Sequence, residues 1–163
     1  MIEISKLLLR PKNSADTEFL IALYETSRDE EFQFVAWKDD DERRVFFQQQ
    51  FNAQELHFNS NYENLDYDVI TYNSKNIGRL ILHKTLDKIH CVDIIIIPEF
   101  RKQGISKIVM NSIVQELDFK KIEATLYFEK SKPYLEHIYS KYGFVTEEDL
   151  GTHKFMRRII KAE

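Results

Sequence analysis

Apolar and polar positions recur along the chain with two different periods, and the switches between them mark out its elements. Residues 5–10 read as a short strand. Pro11 breaks it, and Asn13 and Ser14 offer capping groups for a helix over about residues 15–27, with Phe19, Leu20, Leu23 and Tyr24 on its buried face. Asp39-x-x-Glu42 has the shape of an acidic capping box, and Val45, Phe46, Gln49 and Gln50 carry a helical pattern toward Gln54. The tract between these helices, residues 31–37, fits neither period and is expected as an irregular loop or a helical turn.

The second half alternates more regularly. Residues 67–72 read as a strand, residues 73–76 as a hairpin turn and residues 77–84 as the returning strand. After a turn near residues 85–88, a third meander strand covers residues 89–97, and its continuous apolar end predicts burial on both faces. Ile105, Ile108, Val109, Ser112, Ile113 and Leu117 then fall on one helical face, and residues 121–128 read as a strand, which makes a right-handed strand-helix-strand crossover. Pro133 suits the first turn of a last helix, capped by Ser131 or Lys132, with Leu135, Ile138, Tyr139 and Tyr142 inward and Gly143 as its stop. Residues 152–158 are expected as the final strand. The pattern as a whole predicts an α+β or α/β fold with one mixed sheet.

Composition narrows the picture. With 163 residues, 43% of them hydrophobic, the chain can bury one sizeable core, so residues 1–163 are expected to form a single domain. The net charge of -4, without a long Lys/Arg run, argues against nucleic acid and anionic membrane as partners and mildly favours a cationic substrate. Cys91 is the one cysteine, which fits a reducing compartment, and no segment resembles an export signal or reaches transmembrane length, so a cytoplasmic location is expected. The five histidines show no ligand spacing, and no metal is expected. Oligomeric state has no signature, and a homodimer is compatible with the chain.

The feature richest in chemistry is residues 94–107, where the apolar strand passes through Arg101-Lys102-Gln103-Gly104 straight into a helix. Gly104 allows a tight turn, the first-turn amides at Ile105, Ser106 and Lys107 point outward, and Arg101, Lys102 and Lys107 add positive charge, so phosphate or pyrophosphate is the expected ligand.

Arg101-x-x-Gly104-x-Ser106 after an apolar strand resembles the Arg/Gln-x-x-Gly-x-Gly/Ala signature of GNAT N-acetyltransferases. Ile138-Tyr139-Ser140-Lys141-Tyr142-Gly143-Phe144 is similar to the Leu-Tyr-x-Lys-x-Gly-Phe segment of the same family, and Gly78-Arg79 resembles a Gly-Arg pair in its middle strand. The resemblance implies a mixed α/β fold of the α+β kind: a central mixed sheet with an antiparallel meander, then a strand-helix-strand crossover, and helices on both faces. It also implies acetyl-CoA as cosubstrate and no metal, with pantetheine beside the backbone of Ile94, Ile95 and Ile96 and pyrophosphate on the amides from Lys102 through Gln103, Gly104, Ile105 and Ser106 to Lys107. The chain departs from the family at Ser106, at Lys132 where Asn is common beside the pantetheine arm, and at Leu135 where Ala is common.

The expected reaction is transfer of acetyl from acetyl-CoA directly to a primary amine of a small molecule, peptide or protein. The alternative is a non-catalytic acyl-CoA-binding or protein-interaction module on the same fold. An ammonium must lose a proton before it attacks, and His90 or Asp93, on the strand before the turn, are the candidate bases. Tyr139 matches the tyrosine that the family offers as general acid to the departing thiolate. Cys91, in an apolar strand, is expected to pack rather than react.

Overall fold

Four strands near the start of the chain pair as neighbours, and a helical crossover then carries the chain to the other half of the sheet. A computed structural model describes residues 1–160. In order it contains β1 (Leu7–Pro11), α1 (Thr17–Phe32), α2 (Asp40–Asn61), β2 (Asp66–Tyr72), β3 (Lys75–Lys84), β4 (Lys88–Ile96), α3 (Ile105–Lys120), β5 (Glu123–Glu129), α4 (Tyr134–Ser140), β6 (Val145–Asp149) and β7 (His153–Arg158). The strands form a seven-stranded sheet in the order β1-β2-β3-β4-β5-β7-β6. β4 and β5 are parallel, as α3 between them requires, and the remaining neighbours are antiparallel. This is the mixed sheet with meander and crossover that the resemblance implies.

Helices cover both faces. α1 and α2 set Leu20, Leu23, Tyr24, Phe47 and Phe51 against Tyr67, Val69 and Ile81. On the opposite face α3 sets Ile105, Val109, Met110, Ile113 and Leu117 against Leu80, Leu82, Ile89, Ala124 and Leu126, and Leu135, Tyr139 and Tyr142 pack on the same cluster. β-Branched residues are poor helix formers by a few tenths of a kcal/mol each, whereas burying such a side chain is worth about 1.5–3 kcal/mol, so packing decides that residues 105–120 are helical.

Several expectations shift in detail. Residues 31–37 split between the end of α1, which reaches Phe32, and a turn after it. α2 buries Phe47 and Phe51, while Val45, Gln49 and Gln50 are exposed, so its inner face lies beside the predicted one and continues beyond Gln54 to Asn61. Its capping box is only half formed: Asp39 accepts from the Glu42 amide at 2.8 Å, but Glu42 reaches the amide of Lys38 at 2.6 Å rather than that of Asp39. On α3, Met110 is buried where Ser112 was expected.

Neither Ser131 nor Lys132 caps α4. Pro133 takes that place without a side-chain bond, because the Ser131 hydroxyl donates to Glu129 and the Lys132 ammonium lies 3.7 Å from the same carboxylate. Ile138 is exposed rather than inward, and the helix ends at Ser140, before the expected stop, with Gly143 at φ +89° in the turn that follows. β6 has no counterpart in the pattern, since Thr146-Glu147-Glu148-Asp149 is too polar to alternate.

β3 and β4 approach closely at Gly78, where any Cβ would collide with the carbonyl oxygen of Ile95. Farther along the pair, Ile81 faces Asp93 and Leu82 faces Cys91, which makes Val92 an extra residue in β4, a β-bulge.

Candidate active site at the split between two parallel strands

β4 and β5 pair from Lys88 with Glu123 to Cys91 with Leu126 and then part, although β4 continues to Ile96 and β5 to Glu129. A strand presents its backbone groups alternately to its two sides, so beyond Cys91 those of β4 that point away from β3 lose their ladder partners. The gap opens into a cleft of about 1140 Å³, walled by both strands, the start of α3, α4, and the second halves of α1 and α2. The opening explains why Ile94 and Ile95 are only half-buried where burial on both faces was predicted.

At one mouth of the gap stands the turn into α3. Lys102 and Gly104 both take left-handed conformations, at φ +58° and +84°, and the Gln103 side chain donates to the Glu99 carbonyl at 2.7 Å to close the loop. The first helical bond runs from the Ile108 amide to the Gly104 carbonyl, so the amides of Gly104, Ile105, Ser106 and Lys107 have no acceptor within the described chain. Nothing lies within 4 Å of the place a Gly104 Cβ would occupy. The Lys102 and Lys107 side chains are exposed and form no ion pair among the described residues. Arg101 behaves differently: its Nε donates to the Ile96 carbonyl at 2.8 Å and its Nη2 lies 3.4 Å from Thr26 on α1, so its charge faces the strand end rather than the helical amides. Lys132 lines the cleft beside Glu129, and its amide donates to the Glu129 carbonyl at 2.9 Å.

Tyr139 and Asp93 reach the gap from opposite faces of the sheet. Tyr139, on α4, stands edge-on to Phe144 at 6.1 Å, and its hydroxyl bonds to no group of the described chain. Burial pushes it up to about 12, with Cys91 and Asp93 the next largest influences. Asp93 shares the α1/α2 face with Ile81, and its Oδ2 accepts from the Nε of Arg79 at 2.9 Å and from Nη2. Arg79 is fully buried and also donates to the Tyr67 hydroxyl at 3.0 Å and to Gln54 at 2.7 Å.

His90 lies deeper, stacked on Tyr62 at 5.6 Å and edge-on to Tyr127 at 5.3 Å, with Nδ1 held 2.8 Å from the Thr125 hydroxyl. Burial, then the neighbouring His83 and Lys88, lowers it to about 4, so it is neutral at physiological pH. Burial raises the Cys91 thiol to about 12, which keeps it protonated and unreactive. Among the described residues no group of three or more His, Cys, Asp or Glu is placed to hold a metal ion, and no helix is long and apolar enough to cross a membrane.

The structure thus brings Arg101, Ser106 and Lys107 of the α3 turn, Ile94 to Ile96, Lys132, Tyr139, Asp93 and His90 to one cleft, while Lys102, Gln103, Gly104 and Ile105 stand outside its lining. Tyr62, Tyr127, Arg28 and Glu129 also line it and carried no sequence signal. Arg79 did carry one, as a charge in the middle of an apolar strand.

The protein-family model for the acetyltransferase (GNAT) domain matches residues 24–158. No curated protein matches the chain by sequence. Among solved structures, the PaiA N-acetyltransferase of Thermoplasma acidophilum, in complex with coenzyme A, superposes with a TM-score of 0.69 at 19% identity, over 94% of this chain and 98% of that one. The ribosomal-protein-S18-alanine N-acetyltransferase of Escherichia coli gives 0.64 at 14% identity, over 96% of each chain. The spermidine N-acetyltransferase of Vibrio cholerae, in complex with CoA and spermine, gives 0.61 at 20% identity, again over 96% of each. The family match spans most of the cleft-forming elements, and the chain belongs to the GNAT acetyltransferase domain family and is an acyltransferase.

Proposed function

We propose that the protein transfers an acetyl group from acetyl-CoA to a primary amine, with the two substrates meeting in the gap between β4 and β5. The observation that carries this reading is that a helix N-terminus with unpartnered amides opens on the same gap as an unpartnered phenol and an oriented carboxylate. The amides from Lys102 to Lys107, with the Lys102 and Lys107 ammonium groups, hold the pyrophosphate, and the backbone of Ile94 to Ile96 lies along the pantetheine arm. Acetyl-CoA supplies a thioester carbonyl carbon open to attack and a thiolate that leaves.

The chain's own residues handle the protons. The acceptor enters from the α1/α2 face, where Glu31 and Glu129 pair with Arg28 and Asp29 lies 3.7 Å from Arg43, which leaves Glu30 and Asp93 as the carboxylates open to a cationic amine. Asp93 takes the ammonium proton, directly or through a water, so that the amine attacks with its lone pair as the C–N bond forms and the C–S bond breaks; the C–S electron pair leaves on the thiolate sulfur, and the second nitrogen proton passes to water. His90 is buried deeper than Asp93 and held by the Thr125 hydroxyl, and serves as a wall of the acceptor pocket. Tyr139 donates a hydrogen bond to the departing sulfur.

The test is acetyl-CoA consumption against spermidine, a peptide beginning with alanine and a peptide with an internal lysine, with the product identified by mass. Transfer to at least one amine is expected. Acetyl-CoA binding without transfer to any amine would favour the non-catalytic module, and absence of binding would refute the site itself.

A further inference from the structure

Arg79 is the largest fully buried side chain among the described residues, at 0% exposure, and it sits in the middle of β3 among Ile77, Leu80 and Ile81. A guanidinium in such a place is tolerated only when its donors are paired. Its partners come from three other elements: Asp93 on β4, Tyr67 on β2 and Gln54 on α2. Glu55 on α2 lies 3.8 Å from it and accepts from the Tyr67 hydroxyl at 2.8 Å, and Lys12 in turn pairs with Glu55 at 2.8 Å. These contacts leave Asp93 asymmetric. Oδ2 receives both Arg79 bonds, while Oδ1 accepts none within the described chain, and the side chain, a quarter exposed, lines the cleft.

We propose that Arg79 is a positioning residue for the acceptor: it anchors Oδ2 of the Asp93 carboxylate and leaves Oδ1 to the cleft, so that a cationic amine is received and deprotonated at that oxygen. The inference rests on the acetyl-transfer reading above. Two guanidinium N–H groups converge on Oδ2 and anchor that oxygen, which a single ammonium does not do in the same geometry, and Tyr67 and Gln54 hold the guanidinium in place. Tyr139 from α4 is within electrostatic reach of Asp93, Glu55 from α2 lies against the far side of Arg79, and Cys91 points to the opposite face of the sheet. Of the residues in this group only Arg79 and Lys12 are cations, and Lys12 lies behind Glu55, so Arg79 is the one that bonds Asp93.

The experiment compares wild type with Arg79→Met, Arg79→Lys, Tyr67→Phe and Gln54→Met. The readouts are acetyl-CoA affinity by calorimetry, the pH profile of kcat/KM for whichever of the three probe amines wild type acetylates best, and the Asp93 carboxyl signal by carbon NMR. Arg79→Met should move the acidic limb and the NMR titration upward by about one pH unit or more and lower the plateau by about tenfold or more, with acetyl-CoA affinity within twofold. Arg79→Lys should restore the limb but not the plateau. Tyr67→Phe and Gln54→Met keep the charge, so they should lower the plateau severalfold without moving the limb, and they carry the test if Arg79→Met fails to fold. An unmoved limb and NMR titration in folded Arg79→Met would overturn the proposal, as would wild-type plateaus in both Tyr67→Phe and Gln54→Met. If wild type acetylates none of the amines, the acetyl-transfer reading fails separately, and the NMR titration still decides whether Arg79 controls the carboxylate.

Discussion

Tyr139→Phe separates two roles that a phenol beside a departing thiolate could play. An ordinary thiol has a pKa of about 8.5, whereas burial holds the Tyr139 phenol at about 12. Moving its proton fully to the thiolate is therefore uphill by roughly 3.5 pKa units, or about 5 kcal/mol. That is too steep for Tyr139 to act as a strong acid in the transfer step. A hydrogen bond to developing negative charge is worth about 1.5–3 kcal/mol, so removing the hydroxyl should slow single-turnover acetyl transfer by about ten- to a hundredfold. The thiolate then collects its proton from solvent after it departs.

The same substitution should leave the fold almost untouched. The hydroxyl has no partner in the described chain, and the ring keeps its contact with Phe144. Rapid-quench measurement with saturating acetyl-CoA isolates the chemical step, and urea unfolding supplies the control. A loss of about ten-thousandfold would mean that the proton is in flight in the transition state, contrary to the pKa argument. An unchanged rate would make Tyr139 a packing residue.

Three further outcomes are expected. Gly104→Asp puts a side chain at φ +84°, where L-residues are strained, and a negative charge at the proposed pyrophosphate amides, so acetyl-CoA affinity should fall by about a hundredfold or more in calorimetry on folded protein; unchanged affinity would remove the turn from the binding site. His90 has its pKa lowered from 6.5 to about 4, so the unfolded chain binds the extra proton and wild type should lose roughly 3 kcal/mol as pH falls through that window. His90→Gln should flatten that part of the urea-midpoint profile without moving the acidic limb of kcat/KM, and a moved limb would make His90 the base. Asp16, lowered to about 2 chiefly by its Arg10 hydrogen bonds, contributes stability above about pH 4 that is lost as pH falls toward 2. Because Arg10 is partly exposed, Asp16→Asn should cost about 1–2 kcal/mol at pH 7, and the difference from wild type should shrink below pH 4.

The elements that announce themselves in the sequence are those whose pattern is local. Ile105 to Leu117 repeats with helical spacing, and the Asn73-Ser74 turn with both residues at positive φ is the hairpin that short polar residues between apolar runs predict. The anion turn is legible for the same reason, since glycine, basic residues and a helix start are contiguous. β6 is not, because its residues are polar and exposed and its pairing with β7 carries the definition. The proposed acceptor side of the cleft is equally hidden: Tyr62 and Tyr127 lie 65 positions apart in the chain and come together around His90. Arg101 shows the limit within a legible motif, since its charge was visible but its bond to the Ile96 carbonyl depends on where β4 ends.

The face that Asp93 occupies depends on one extra residue. Strict alternation along β4 would place Asp93 with Cys91, toward α3, and a shift of a single residue moves every following side chain to the other face. The bulge at Val92 makes that shift: His90 pairs with His83, Cys91 with Leu82, and Asp93, not Val92, with Ile81. Cys91 and Ile94 consequently pack toward α3 and α4, while Val92 and Ile95 pack toward α1 and α2. Asp93 is carried to the α1/α2 face with them and into the reach of Arg79, whose own position on β3 follows from Gly78 allowing β3 and β4 to close up. Tyr139 approaches from the other face, and the parting of β4 from β5 lets the two groups address a common point. A carboxylate on the α3 face would sit with the phenol and leave the other face without the proposed base, so the proposed separation of acceptor from leaving-group chemistry across the sheet follows from the bulge.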